Sequence, residues 1–223
     1  MNVSKKTLTG FVILGVSLLA FIIIAYAVRS GDTAGFDDPI RNFIYSLRAN
    51  WLNTLMEGIT YLGNWQSVTV VCLLLLAYDK TRVPYGALGS TTALTVTLLN
   101  KVFKEIFARA RPDDIIPLIQ QGGHAFPSGH AVTSMAFYGI LLVLVQTRME
   151  DRKRATALSV VLILLIALIG PSRIYLGVHY PTDILAGWAE GVFVATAVYM
   201  LAFKFVPRSF LRPTTEPDIS EDK

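Results

Sequence analysis

His179 and Asp183 stand four residues apart at the end of a polar stretch, Ser172 to Asp183, set between two apolar runs. Four residues make about one helical turn, so the two side chains share a face if a helix has begun by Tyr180. Pro181 favours such a start, because proline is tolerated in a first turn where its missing N–H has no partner to lose. A carboxylate there can hold one imidazole N–H and leave the other ring nitrogen free to attack. Arg173 adds a planar fork of donors suited to phosphate. Taken alone, the stretch reads equally well as a membrane loop with a histidine and a capping aspartate.

Two other stretches supply matching chemistry. Lys104 and Arg111 lie seven residues apart, with Lys101 and Arg109 close by. If a helix persists to Arg109, Lys104 and Arg111 form a cationic ladder about 10 Å long. Snorkelling to lipid headgroups accounts for one or two such cations but poorly for four. Pro127-Ser128-Gly129-His130 opens the next apolar run, where the unpaired N–H groups of a helix start attract anions. Gly129 admits a phosphate close to the backbone, Ser128 offers a hydroxyl and His130 a proton, although an ordinary serine cap would leave the same trace. Together the three stretches hold what cleavage of a phosphomonoester or diphosphate requires: cations for the equatorial oxygens, backbone and hydroxyl donors, and two histidines to serve as nucleophile and acid. Positioning and charge stabilisation carry most of such a reaction. No cluster of Asp and His resembles a two-metal site. The expectation is therefore neither metal nor other cofactor.

The elements that must position these groups are apolar. Of 223 residues, 53% are hydrophobic and 16% charged, against about a quarter charged in soluble domains. The charge deficit is concentrated in long apolar runs, so the chain is expected to be an all-α polytopic membrane protein, one domain over residues 1–205 with a polar cytoplasmic tail over 206–223. A net charge of +4 does not point to nucleic acid, because the basic residues sit at the ends of the runs. Cys72, the single cysteine, lies within a run and reads as packing.

Six spans are expected. The first covers roughly Leu8 to Val28; Ala25-Tyr26-Ala27 resembles a signal-peptidase site, yet the run is long enough to be kept as a span. The others run from about Trp65 to Tyr78, Tyr85 to Asn100 with a charged helical extension to Phe107, Ser128 to Val145, Ala155 to Gly170 ended by Pro171, and Thr182 to Phe205. Between the first two, Phe36, Ile40, Phe43, Ile44 and Leu47, then Trp51, Leu55, Ile59 and Leu62, recur at three- and four-residue steps. That spacing predicts two short amphipathic helices on the membrane surface, the first begun by Asp38 as cap and Pro39 in the first turn. They would either line an entrance to the site or simply pack on the bundle.

Six spans put both termini on one side. With that side cytoplasmic, twelve of the twenty basic residues lie inside and eight outside, in keeping with the positive-inside rule. All three polar stretches then face outward, and the four cations from Lys101 to Arg111 defy the bias, which points to a second role for them.

The succession Lys104, six residues, Arg111-Pro112, then Pro127-Ser128-Gly129-His130, then Ser172-Arg173, five residues, His179, three residues, Asp183 resembles the type 2 phosphatidic acid phosphatase superfamily. Its three signatures are present in order and with full spacing. The resemblance implies a helical bundle in which His179 attacks phosphorus to form a phosphohistidine, Asp183 orients it and His130 protonates the leaving group. It also implies that Lys104, Arg111, Ser128, Gly129 and Arg173 bind the phosphoryl group. Soluble vanadate haloperoxidases share the superfamily, but the apolar runs favour the membrane lipid phosphatases, acting on undecaprenyl diphosphate, phosphatidylglycerophosphate or phosphatidic acid. The competing class is a protein that binds or carries a lipid phosphate without turnover. His124 reads as a solvated loop histidine, Arg109 as either a headgroup contact or a snorkelling cation, and Glu190 as an ionisable group inside a span. Trp51, Trp65 and Trp188 read as interface anchors or packing.

Overall fold

The computed structural model describes residues 5–205, and the regular structure among them is entirely helical. The tail expected from residue 206 onward lies outside the described residues. We number the helices α1 (Lys5–Ser30), α2 (Ala34–Ser46), α3 (Asn50–Tyr61), α4 (Trp65–Ala77), α5 (Leu88–Phe107), α6 (Gly129–Arg148), α7 (Arg152–Tyr175) and α8 (Pro181–Phe205). A short turn at Asp79–Thr81 and a π-helical segment, Arg82–Ala87, join α4 to α5, and a second π-helical segment, Ser134–Tyr138, interrupts α6.

Helix α6 is the central one, with 56% of its apolar window buried against 17% for α1. It packs on α8 through Gly187 and Gly191, one turn apart. A Cβ at Gly187 would lie 2.9 Å from the Ala131 methyl carbon, and one at Gly191 would lie 2.7 Å from Met135 Cβ. Such small-residue pairs let helices in lipid approach closely, where packing rather than hydrophobic burial holds them together. Helix α1 lies along α8 from outside. Its Phe21 and Ala25 join Phe126 and Ala186 in a buried cluster that Phe103 and Phe107 of α5 also touch. Cys72 is buried among apolar side chains, as its sequence context implies.

Among the described residues, four helices are long and apolar enough to cross a membrane: Thr7–Ser30, Gly129–Arg148, Arg152–Tyr175 and Pro181–Ala202. The pair α3 and α4, bent by 48°, makes a fifth if taken as one broken span. Helix α4 has only 13 residues, about 20 Å, short of the ~30 Å hydrocarbon core. Helix α5 carries Asn100, Lys101, Lys104 and Glu105 in its last two turns, which keeps it below the apolarity of the others.

Two short helices follow the first span, the first of them with other bounds than its apolar spacing implies. Helix α2 starts earlier, at Ala34, with Thr33 in the cap position and Asp38 and Pro39 inside it. Its charged face turns inward: Asp37 and Arg41, one turn apart, are buried, while Phe36 and Phe43 are exposed. In a lipid surround the apolar face is the one that suits the outside, as for an amphipathic helix at a membrane surface.

Two helix ends also differ from expectation. Pro171 does not end α7, which continues to Tyr175. Membrane helices tolerate proline more readily than soluble ones, and α7 runs four residues beyond it. Helix α5 stops at Phe107, where Ala108 turns left-handed at φ 45°. The cationic ladder therefore does not form on a helix, because Arg109 and Arg111 leave α5 on a loop. Alanine in that conformation costs about 1–2 kcal/mol. Ala108→Gly should raise stability in detergent by roughly 1 kcal/mol, measured by thermal unfolding; a lower melting temperature would show that the methyl group is held by packing instead.

Candidate active site

The turn from Leu176 to Tyr180 carries His179 from the end of α7 to the start of α8. Gly177 turns it at φ +80°, and a Cβ there would come within 2.8 Å of the Arg48 guanidinium. Arg48 donates from Nε and Nη2 to the Tyr175 carbonyl oxygen, at 3.0 and 2.9 Å, capping the C-terminus of α7. Cations there complement the helix dipole. Asp183, in the first turn of α8, accepts from His179 Nδ1 at 3.1 Å and from the Tyr180 N–H at 2.9 Å, both through Oδ2. His179 and Asp183 are 2% and 0% exposed in their side chains, so the pair is closed off from solvent.

The other ring nitrogen of His179 faces Arg111, with Nη1 to Nε2 at 3.2 Å. Arginine can only donate, so Nε2 presents its lone pair and the proton resides on Nδ1, toward Asp183. Both contacts select the same tautomer. Nε2 is thus an unprotonated nitrogen beside a guanidinium, the arrangement a nucleophile for phosphorus needs.

Arg111 is held over this nitrogen by carbonyl oxygens: Val178 at 2.7 Å, Gly122 at 2.9 Å and Gly123 at 3.0 Å. Lys104 donates to the His124 carbonyl oxygen at 2.5 Å. Arg173, fully buried, donates to Thr60 Oγ1 at 2.8 Å and to Gln121 Oε1 at 2.6 Å. The loop 108–128 therefore brings Lys104, Arg111 and Arg173 together through its own oxygens. Arg173 Nε and Ser128 Oγ are buried without a hydrogen-bond partner. Ser128 sits at the cap position of α6 but does not cap it, so the ordinary-cap reading fails and its hydroxyl remains available to a ligand. The Ser128 N–H donates to the Asp183 carbonyl oxygen at 3.1 Å, tying the start of α6 to the start of α8. Gly129 follows in the first turn of α6, against Asn100 of α5.

His130 is also at this end of the bundle, and its Nε2 pairs with Asn64 Oδ1. Asn64 lies at the bend between α3 and α4. The eight candidate residues named from the sequence thus converge on one region, although the polar residues that brace them were not among them.

Arg109 is the main addition. Read from the sequence as a headgroup contact or a snorkelling cation, it is instead paired inside the protein with Asp183 and Asp37. Its place within two residues of Arg111 was the only signal. Asp37 and Asn64 carried none, because their partners lie 72 and 66 residues away. His124 matches its solvated reading: the ring is 38% exposed and near Glu105 at 3.9 Å, while its carbonyl serves the cations. Glu190 is buried in α8, facing Asn100 and Lys104.

The profile of the PAP2 superfamily matches residues 84–207, more than half of the chain. The chain belongs to that superfamily. It is similar to phosphatidylglycerophosphatase B of Bacillus subtilis, 33% identical over 179 residues that cover 78% of this chain and 87% of the relative. An undecaprenyl-diphosphatase of Sulfolobus acidocaldarius is 26% identical over 190 residues, covering 80% of this chain and 85% of that one. Among solved structures, a transmembrane PAP2-type phosphatidylglycerolphosphate phosphatase of Bacillus subtilis superposes with a TM-score of 0.77 at 31% identity. That match covers 86% of this chain and 96% of the other. This PAP2 member is accordingly a phosphatase of the membrane lipid phosphatase kind.

Burial, and then the nearby guanidinium of Arg111, hold the His179 imidazole well below its usual value. The charged form is penalised by lost hydration and by repulsion. With His179 as the attacking group only its neutral ring could react, and activity should then persist as pH falls through about 6.5, the ordinary histidine value, and fail only below it. The acid limb of kcat/KM against pH checks this; a limb at or above 6.5 would mean the free ring is hydrated or paired with net negative charge.

Proposed function

We propose that the chain is an integral membrane lipid phosphatase that hydrolyses a phosphomonoester or diphosphate headgroup at the outer face through a phosphohistidine on His179. The carrying observation is the lone pair of Nε2, fixed by Asp183 on one side and Arg111 on the other. In the first step Nε2 forms a bond to phosphorus while the bond to the leaving oxygen breaks, and His130 gives that oxygen a proton. In the second, water attacks the phosphohistidine, His130 takes a proton back, and the N–P bond breaks to release phosphate with the imidazole restored. Lys104, Arg111 and Arg173, with Ser128 Oγ and the N–H of Gly129, would neutralise the three equatorial oxygens. The carbonyls of the loop now hold these cations; phosphate oxygens, which carry full negative charge, compete well for them.

The outward orientation rests on the excess of basic residues at the opposite end. Six passes, with α4 and α5 as the shorter or more polar ones, put both termini at that end. The exposed apolar faces of α2 and α3 suit the lipid boundary around the site. An external site fits the carrier lipid undecaprenyl diphosphate and phosphatidylglycerophosphate, for which two relatives are named; phosphatidic acid is the third candidate. A phosphate-binding or transport role without turnover leaves the tautomer and the Asp183 contact without a purpose.

Purified protein in vesicles, given each of the three lipids, should release phosphate from at least one. His179→Ala should lower kcat by about 10³-fold or more, and Arg111→Ala by roughly 10²–10³-fold. Vanadate should inhibit, EDTA should have no effect, and acid-stable controls should distinguish an acid-labile phosphohistidine trapped from labelled substrate. Full activity in His179→Ala would end the proposal, and binding without release by the wild type would favour the transport reading.

A further inference from the structure

Asp183 has a second oxygen that His179 does not use. Arg109 Nη1 donates to that Oδ1 at 2.6 Å and to Thr182 Oγ1 at 2.8 Å. Its other arm, Nη2, donates to Asp37 Oδ2 at 2.8 Å and to Thr33 Oγ1 at 2.9 Å. Asp37 in turn accepts from the Thr182 N–H at 2.9 Å and from the Thr182 hydroxyl at 2.9 Å. The N–H of Thr182 is one of the unpaired donors at the start of α8, so a residue of α2 closes the first turn that carries Asp183. Tyr180, next to His179, completes the frame: Arg109 lies 4.0 Å from its ring centroid and Arg41 4.8 Å. Asp37 and Asp183 are each at most 1% exposed, which makes an unmatched charge among them costly.

We infer that Arg109 and Asp37 are positioning residues for the nucleophile, Arg109 fixing the carboxylate of Asp183 and Asp37 fixing Arg109, so that α2 forms part of the catalytic scaffold. The inference rests on His179 being the nucleophile. A carboxylate gripped at Oδ1 by a guanidinium cannot swing, and its negative charge is largely spent on the arginine. It then serves the imidazole as a fixed acceptor for Nδ1–H without drawing the proton across or favouring the imidazolium before attack. When Nε2 bonds to phosphorus the ring becomes cationic, and Asp183 is already placed to stabilise it. Neither Arg109 nor Asp37 needs to touch substrate for this.

The charges facing His179 are Asp183 on α8, Arg111 and Arg109 on the loop, Lys104 on α5 and Arg173 on α7. His130 on α6 faces the same group of cations. Removing Arg109 deletes one positive charge from this set and leaves Asp183 uncompensated beside the ring. Both changes favour the imidazolium, so the acid limb must move to higher pH. A purely structural role would lower the yield of folded protein and leave the limb of the remaining enzyme where it was.

The test compares wild type, Arg109→Gln, Arg109→Lys and Asp37→Asn, purified in detergent, using one lipid phosphate that the wild type hydrolyses. Arg109→Gln should lower kcat about 10- to 100-fold, the usual loss when a partner that orients a functional histidine is removed, with KM within about threefold of wild type. Its acid limb should shift upward. Arg109→Lys, which keeps the charge but loses one arm, should restore the limb and part of kcat. Asp37→Asn, which keeps an acceptor for the Thr182 N–H and so should fold, should lower kcat without changing KM. Wild-type kcat and an unmoved limb in both Arg109→Gln and Asp37→Asn would overturn the inference, as would losses that only follow the folded fraction. His179→Ala with full activity would sink the nucleophile assignment itself, a separate outcome that takes the inference with it.

Discussion

A carboxylate with no exposed surface is the constraint on which the site depends. Asp183 cannot rely on water, so both of its oxygens must be occupied by protein donors. One oxygen takes His179 and the Tyr180 N–H, the other takes Arg109. That requirement fixes the turn between α7 and α8, brings the loop after α5 across the bundle, and draws α2 inward behind Arg109. Satisfying the acid therefore also sets the tautomer of His179: the bond to Asp183 determines which ring nitrogen has the free pair.

The excess of cations around this acid is equally informative. Lys104, Arg109, Arg111 and Arg173 meet the buried carboxyl groups of Asp37, Asp183 and Glu190, and for the rest carbonyl, amide and hydroxyl oxygens and the ring of His179. Dipolar oxygens satisfy hydrogen bonds but leave positive potential uncompensated, and that potential is what a dianionic headgroup would neutralise. Buried donors without partners at Arg173 and Ser128 lie within the same region. The loop is thus both the scaffold that gathers the cations and the set of weaker ligands that substrate oxygens would replace.

The lipid surround accounts for helix α2, which presents Phe36 and Phe43 outward and Asp37 and Arg41 inward. In water this orientation would be unstable. At a bilayer the apolar side chains are matched by acyl chains, and the charged ones reach the partners that make their burial tolerable.

The sequence by itself determined the helical class, the apolar runs, and which polar stretches to look for at one end of the bundle, because these are local properties. Period, hydropathy and the spacing of Lys104, Arg111, Ser128, Gly129, His130, Arg173, His179 and Asp183 can all be read within short windows, and the one-turn spacing of His179 and Asp183 sufficed to predict their contact. What lay beyond it were the end of α5 before Ala108, the passage of α7 through Pro171, the inward pairing of α2, the freedom of the Ser128 hydroxyl, and the bracing by Asp37, Asn64 and Arg109. The bracing depends on partners distant in the chain: Thr182 donates to Asp37 across 145 residues, and His130 meets Asn64 across 66. A buried charge is tolerated only where opposite charge and donors meet it in space. That meeting is decided by the packing of helices against one another, which no local pattern encodes.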